Sequence, residues 1–111
     1  MKYLVTKSHK PDCDKPIIAK KGSRFSWEKK ATIWDGWLWC TSTDGSTGWV
    51  PDSWLKKQGK KAVLKRDYNA TELSANPGET VSGEMIESGW IWVTNTKYKS
   101  GWIPLGCLMQ L

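Results

Sequence analysis

Hydrophobic and polar residues alternate in short runs along this chain, and Gly, Asp, Asn and Pro separate the runs. In the run that begins at Trp37, a period of two places Trp37 and Trp39 on one face and Leu38 and Cys40 on the other. No segment shows a sustained helical period. The pattern therefore predicts an all-β protein built from short strands and tight turns.

A second run repeats this pattern from Trp90, with the tryptophans on one face and Ile91 and Val93 on the other. Residues 36–55 align with residues 89–108 without a gap at an offset of 53, and nine of the 20 aligned positions are identical. Four of the nine are Trp or Pro, which are scarce residues. The repeat predicts two copies of one small structural unit.

The two copies are predicted to be contiguous domains, residues 1–57 and residues 58–111. Residues 56–61 are polar and contain no apolar side chain, so they are interpreted as the linker. Upstream of Trp37, copy one carries three more residues than copy two. Length changes belong in loops, so we expect a variable loop in Phe25–Asp35 and a shorter one in Val81–Ser88.

Several short motifs occur in the order that is typical of one known family. They are Glu72-Leu73-Ser74, Gly78-Glu79, Gly89-Trp90 and Gly101-Trp102-Ile103-Pro104 in copy two, and Pro51-Asp52-Ser53-Trp54-Leu55 in copy one. Asp67-Tyr68 is similar to the end of that family's first strand. The chain thus resembles the Src homology 3 (SH3) domain, and is most similar to bacterial tandem members. The resemblance implies two small five-stranded SH3-like barrels in tandem.

SH3 domains bind short extended peptides, often proline-rich, in a shallow aromatic groove, so the resemblance implies a non-catalytic protein–protein interaction module. The groove positions carry over as Trp37, Trp49, Pro51 and Trp54 in copy one, and as Tyr68, Trp90, Trp102 and Pro104 in copy two. The family has Tyr where copy two has Cys107, whereas copy one keeps an aromatic side chain there. Copy one is therefore expected to hold the more complete groove.

Charge and Trp content keep a second class of function open. The net charge is +6, of which residues 1–57 carry +5, and the chain has nine Trp, more than such small barrels bury. Basic charge beside exposed aromatic rings is also typical of single-stranded nucleic acid binding. Cell-wall peptide binding, known for other bacterial domains of this shape, is a further alternative.

The residues argue against an enzyme, a metal site or a cofactor. His9 is the only histidine, and no phosphate loop, Cys/His cluster or catalytic triad spacing is present. The three cysteines are an odd number without a disulfide pattern, and Cys40 is expected in the core. No apolar run approaches the roughly 18–20 residues of a membrane span. We expect a cytoplasmic protein, monomeric or weakly self-associating, with a protein or peptide partner.

Overall fold

The computed structural model describes residues 1–11, 15–32 and 35–111. Within these residues the chain forms short β-strands and two 3-10 turns, Asp52–Trp54 and Leu105–Cys107. The strands are β1 (Lys2–Val5), β2 (Ile18–Ala19), β3 (Arg24–Glu28), β4 (Trp37–Ser42), β5 (Thr47–Pro51), β6 (Leu55–Gln58), β7 (Lys61–Leu64), β8 (Tyr68–Asn69), β9 (Thr80–Glu87), β10 (Trp90–Asn95), β11 (Ser100–Pro104) and β12 (Leu108–Gln110). No helix in the described part of the chain is long and apolar enough to cross a membrane.

Ten of the strands form two five-stranded sheets whose neighbours all run antiparallel. One sheet has the order β11-β10-β9-β1-β12, and the other has the order β5-β4-β3-β7-β6. Strands β2 and β8 pair with each other separately. The prediction of an all-β chain with two five-stranded SH3-like barrels is confirmed.

The compact units of the structure are not the two halves of the sequence. Unit 1 consists of Met1–Asp12 and Thr71–Leu111, and unit 2 is the continuous stretch Cys13–Ala70. The predicted domains, 1–57 and 58–111, mark the two sequence copies, but each copy contributes its first strand to the sheet of the other. Strand β1 lies in the sheet of unit 1 and β7 in the sheet of unit 2. Along the chain, unit 2 is therefore inserted into unit 1.

The segment interpreted as a linker is a tight β-hairpin, and this explains the exchange. Strands β6 and β7 pair from Leu55↔Leu64 to Gln58↔Lys61, which leaves only Gly59 and Lys60 in the loop. Gly59 has a φ of 63°, the positive value that a two-residue loop requires at this position. Strands joined by so short a loop remain neighbours in one sheet. The first strand of copy two consequently fills the place beside the last strand of copy one.

A tryptophan from the neighbouring strand fixes this hairpin in place. The Trp27 indole N–H lies within hydrogen-bond distance of two hairpin carbonyls, 3.0 Å from that of Gly59 and 3.2 Å from that of Lys61. The Trp27 amide donates to the Lys60 carbonyl at 3.2 Å. The Lys61 ammonium also donates to the Ser26 hydroxyl at 2.8 Å. These bonds attach the hairpin to β3, so β7 is held on both sides.

In unit 1 the corresponding place is filled by β1, between β9 and β12. Tyr3 and Val5 point into the core and are 8% and 1% exposed. Gly83 on β9 makes room for the Tyr3 ring, because a Cβ there would stand 2.5 Å from Tyr3 Cε2. The core of unit 1 therefore depends on side chains from a strand that belongs to the other sequence copy.

The predicted faces of the Trp-rich strands are confirmed. Leu38 and Cys40 are buried while Trp37 and Trp39 are half-buried, and Ile91 and Val93 repeat the pattern between Trp90 and Trp92. One face of each strand thus supplies the core, and the other carries the aromatic rings.

The predicted loops are shorter than their sequence ranges. Strand β3 extends to Glu28, so the longer loop covers residues 29–36, of which 33 and 34 lie outside the described residues. In copy two, β9 continues to Glu87, and Ser88 and Gly89 form a two-residue hairpin loop with φ values of 47° and 89°. The three extra residues of copy one therefore fall between β3 and β4, inside the range that the sequence indicates.

Two glycines at equivalent positions of the repeat are expected to differ in how well they tolerate substitution by alanine. In unit 1 the Leu73 amide donates to the Trp102 carbonyl, and a Cβ on Gly101 would lie 2.7 Å from that amide nitrogen. A Cβ on the equivalent Gly48 would meet the flexible end of the Ile17 side chain, 3.4 Å from Cδ1 and 3.6 Å from Cγ1. We expect Gly101→Ala to lower the free energy of unfolding by about 1–3 kcal/mol. Gly48→Ala should change it by less than about 1 kcal/mol, as measured by urea unfolding. Equal losses in both variants would contradict the close backbone approach at Gly101.

Candidate functional site

Unit 2 brings together aromatic residues from both sequence copies. Tyr68, from copy two, donates its hydroxyl to the Trp49 carbonyl at 2.8 Å. Its ring meets the Trp54 ring edge to face, with centroids 5.4 Å apart. Tyr68 and Trp54 are 4% and 7% exposed, so this pair forms the buried floor of the cluster.

Trp37 and Pro51 lie beside this floor on neighbouring strands. They are directly opposite each other in the β4–β5 pairing, and Trp37 is half-buried while Pro51 is buried. Pro51 lacks an N–H, which suits the point where β5 ends and the 3-10 turn that carries Trp54 begins. The Asp52 amide then donates to the Gly36 carbonyl at 2.8 Å, tying this turn to the residue before Trp37.

Two cations border the cluster. The Arg66 guanidinium lies over the Trp54 ring, 4.2 Å from its centroid. The neighbouring Lys65 donates its amide to the Trp54 carbonyl at 2.8 Å and its ammonium to the Ser53 carbonyl at 3.5 Å. Both cations follow β7 and reach unit 2 only because of the strand exchange. The proximity of Arg66 to Trp54 could not be predicted from the residues around either of them.

The structure thus divides the predicted groove residues unevenly between the units. Unit 2 contains the four positions of copy one together with Tyr68, which the sequence assigns to the copy-two groove. Unit 1 keeps the other three positions, namely Trp90, Trp102 and Pro104. Trp102 is 3% exposed, since residues 71–73 bond to β11 and the Trp92 ring packs against it at 5.6 Å. The accessible part of this second set is therefore Trp90 and Pro104, which are half-buried.

Beside Trp90, unit 1 holds a polar pair that the sequence did not predict. His9 Nε2 lies 2.7 Å from Glu72 Oε1, and the His9 ring meets the Trp90 ring edge to face at 5.5 Å. Backbone bonds between His9 and Ala75 hold the two segments together. This pair could not be predicted from the residues around His9, because Glu72 belongs to the other sequence copy.

A second aromatic surface lies on the outer face of the unit 2 sheet. Trp39 and Trp49 are opposite each other on β4 and β5, and their rings meet edge to face at 5.2 Å. The Lys30 ammonium stands over the Trp39 ring, 3.9 Å from its centroid. Both tryptophans are half-buried, so cation and aromatic rings are accessible on one face.

Unit 2 also has an open cleft of about 1040 Å³ beside β2 and the β4–β5 hairpin. Lys15, Lys20 and Arg24 line it together with Asp44 and Asp67. Both carboxylates are already engaged: Asp67 accepts the Lys21 amide at 2.8 Å, and Asp44 accepts bonds from Ser42 and Ser46. Those bonds, first the one from Ser42, hold the pKa of Asp44 well below its usual range. Because Asp44 stays ionised, the three cations that line the cleft exceed its two acidic side chains by only one charge.

Because of the strand exchange, the two units differ in net charge. Unit 2 holds 12 Lys/Arg and six Asp/Glu, a net charge of +6, whereas unit 1 holds five of each and is neutral. The difference is larger than between the sequence copies, because the residues after β6 add four cations and one anion to unit 2. All the net positive charge thus belongs to the unit with the fuller aromatic cluster.

The cysteines do not form a reactive centre in the described residues. Cys40 is buried as expected, and burial raises the pKa of its thiol to about 12, so it stays protonated. Burial also raises the pKa of the partly buried Cys107, and Cys13 lies outside the described residues. Within residues 1–11, 15–32 and 35–111, no three His, Cys, Asp or Glu side chains group as metal ligands.

Comparison with known proteins matches one family. The family model described as Variant SH3 domain matches residues 2–58, which is just over half of the chain. Neither a curated protein nor a solved structure matches the chain. The matched range coincides with sequence copy one, so it includes β1 and ends where the β6–β7 hairpin turns.

The aromatic floor of unit 2 predicts a specific effect on stability. Tyr68→Phe removes the hydroxyl that bonds to the Trp49 carbonyl, and we expect the free energy of unfolding to fall by about 1 kcal/mol. Tyr98→Phe is the matched control, since Tyr98 is 91% exposed, and it should leave stability unchanged. Urea unfolding of both variants measures the difference. A Tyr68→Phe protein as stable as the control would exclude a stabilising role for this bond.

Proposed function

The chain belongs to the variant SH3 domain family, and we propose that its unit 2 is a protein-binding module that takes an extended, proline-containing peptide. A polyproline II peptide is already ordered, so little conformational entropy is lost when it binds flat aromatic rings. The proposed contact surface consists of the half-buried Trp37 and Trp49, with the buried Pro51, Trp54 and Tyr68 supporting it. We propose that the protein works in the cytoplasm and is not an enzyme.

One observation carries the proposal most directly, the meeting of Tyr68 with the copy-one aromatics. Tyr68 bonds to the Trp49 carbonyl and packs against Trp54, and Trp37 stands opposite Pro51 at the adjoining strand end. In a groove of this kind, rings fixed by such contacts contribute binding surface at little entropic cost. Among the predicted groove positions, unit 1 has fewer accessible rings, because Trp102 is buried.

The cations beside the cluster argue for an acidic ligand. Arg66 over Trp54 and the neighbouring Lys65 stand at one side, and unit 2 carries the net charge of +6. An Asp or Glu next to the proline segment would be attracted by the net charge of unit 2, and rim charges of this type steer association and select partners. We therefore propose proline-containing peptides with acidic flanks.

The test uses two fluorescein-labelled proline-rich peptides, one with Glu flanks and one with Lys flanks. We expect the Glu peptide to bind in the micromolar range or more weakly, because a single small groove buries less area than a standard interface. Trp37→Ala should weaken binding at least tenfold, about 1.4 kcal/mol, as measured by fluorescence polarisation. Tyr98→Ala, at an exposed position of unit 1, should bind like the native chain.

The same peptide assay also tests which of the two units holds the binding site. Trp90 stands where Trp37 stands in the repeat, so Trp90→Ala should change affinity less than Trp37→Ala if unit 2 holds the site. Circular dichroism first establishes that each variant is folded. A folded Trp37→Ala protein that binds the Glu peptide as well as the native chain would refute the groove, and a preference for the Lys peptide would refute the acidic ligand.

Single-stranded nucleic acid is a second candidate ligand, favoured by the charge division and by the outer face of unit 2. Lys30 over Trp39, with the adjacent Trp49, supplies a cation and rings that could stack on bases. The cleft of the same unit supplies further cations for phosphate groups. Unit 1, with no net charge, lacks this combination.

Salt dependence tests this second candidate. With a labelled oligo-uridine, the binding constant should fall with salt, with a log–log slope of roughly −0.7 per phosphate contact. Replacing Lys15 and Lys20 by Ser should lower that slope by up to about 1.4, one contact for each lysine. The matched pair Lys97→Ser and Lys99→Ser in unit 1 should leave it unchanged. Absence of binding at low salt would eliminate nucleic acid as a ligand.

A further inference from the structure

In unit 1, β1 occupies the position of one strand between two neighbours, and the inserted unit 2 separates it from both of them along the chain. We call this position the slot. On one side β1 pairs with β9 from Lys2↔Ser82 to Leu4↔Thr80, and on the other it pairs with β12 from Tyr3↔Gln110 to Val5↔Leu108. Further backbone bonds join Thr6 to Cys107 and His9 to Ala75. Segment 1–10 is thus bound along most of its length by residues after position 70.

The slot selects its occupant by side chains as well as by backbone bonds. Tyr3 and Val5 complete the unit 1 core, where they are 8% and 1% exposed among Val81, Ile91 and Ile103. Gly83 leaves the space that the Tyr3 ring fills. An unrelated strand would satisfy the backbone but would not fill this space, so the segment that fits the slot is the one that this chain encodes.

We infer that the slot accepts segment 1–10 of a second copy of this chain, which gives a dimer with reciprocally exchanged β1 strands. Every contact of β1 is reproduced in the dimer, because donor and acceptor are identical in both copies. The balance between the two forms then depends on protein concentration relative to the effective concentration of the chain's own strand.

The equivalent strand of unit 2 does not share this property, although it fills the same place. Strand β7 is joined to β6 through Gly59 and Lys60 alone, and Trp27 bonds to the hairpin from β3. A strand on so short a loop stays beside its own β6, and β3 of the same unit pairs with it on the other side. The repeat therefore contains one exchangeable first strand and one fixed first strand, which supplies an internal control.

The folded unit 2 explains why the chain's own strand is favoured at low concentration. Ile18 pairs with Asn69, and the Ala70 amide donates to the Ile17 carbonyl at 2.8 Å. Residues near the two ends of the inserted unit are consequently paired with each other, which shortens the loop that the chain must close for β1 to reach its own slot. Exchange between copies is thus expected mainly when chains refold together at high concentration.

Engineered disulfides report which chain supplies β1. Leu4 and Met109 are opposite each other on β1 and β12, and the equivalent pair in unit 2 is Val63 and Lys56. Opposite residues of antiparallel strands have Cα atoms about 4.5–5.5 Å apart, within disulfide range. Leu4→Cys/Met109→Cys and the control Lys56→Cys/Val63→Cys are prepared in a background with Cys13→Ser and Cys107→Ser.

Each full-length variant is unfolded, refolded at low and at high concentration, oxidised, and separated on a non-reducing gel. With effective concentrations for tethered segments in the millimolar range, we expect Leu4→Cys/Met109→Cys to be a monomer after refolding at ~1 μM and about half covalent dimer at ~1 mM. Lys56→Cys/Val63→Cys should be a monomer at both concentrations.

Light scattering on the reduced samples confirms the mass of each species without the crosslink. The inference is overturned if the Leu4→Cys/Met109→Cys chain is monomeric at both concentrations with its disulfide formed, or if the control dimerises equally. Failure of the Leu4–Met109 disulfide to form at all would also overturn it, because β1 would then not lie beside β12.

Discussion

The two-residue loop of Gly59 and Lys60 is the constraint on which the rest of this structure depends. A loop of that length keeps β6 and β7 side by side, so the first strand of the second copy must complete the barrel of the first. Strand β1, displaced from that place, completes the barrel formed by β9 to β12. Trp27 reinforces the arrangement by hydrogen bonds to the carbonyls at both ends of the turn. A short covalent connection thus decides the partners of strands that are 50 or more residues apart.

The same constraint determines the composition of the candidate site. Tyr68 and Arg66 follow β7, so they reach the Trp49 and Trp54 region only because β7 stays with the first barrel. Conversely, segment 1–10 belongs to copy one but lies in unit 1, where it brings His9 into contact with Glu72 and Trp90. Both aromatic sites are therefore composites of the two copies, and the units differ in charge and in accessible aromatic surface although their strands are equivalent.

Local features of the fold could be predicted from the sequence because they depend on neighbouring residues. The alternation in Trp37-Leu38-Trp39-Cys40 determines which face is buried, and Asp44-Gly45 marks the hairpin tip. Partner choice could not be predicted in this way, because β1 and β7 have similar patterns and fit equivalent places. The burial of Trp102 and the His9–Glu72 pair follow from that choice. The segment Gln58-Gly59-Lys60-Lys61 was the available signal of the exchange. A polar segment with a central glycine is as typical of a turn as of a linker.

The insertion of unit 2 into unit 1 also sets the order in which the chain can fold during synthesis. Unit 2 has all its strands once residue 70 has left the ribosome, and domains generally fold as units while synthesis proceeds. Strand β1 is made earlier but finds both its neighbours only after β12 has emerged. Its apolar Tyr3 and Val5 therefore remain without their core until these strands have been made. The nascent chain carries an unpaired strand for that time, and any delay between residues 70 and 108 prolongs its exposure.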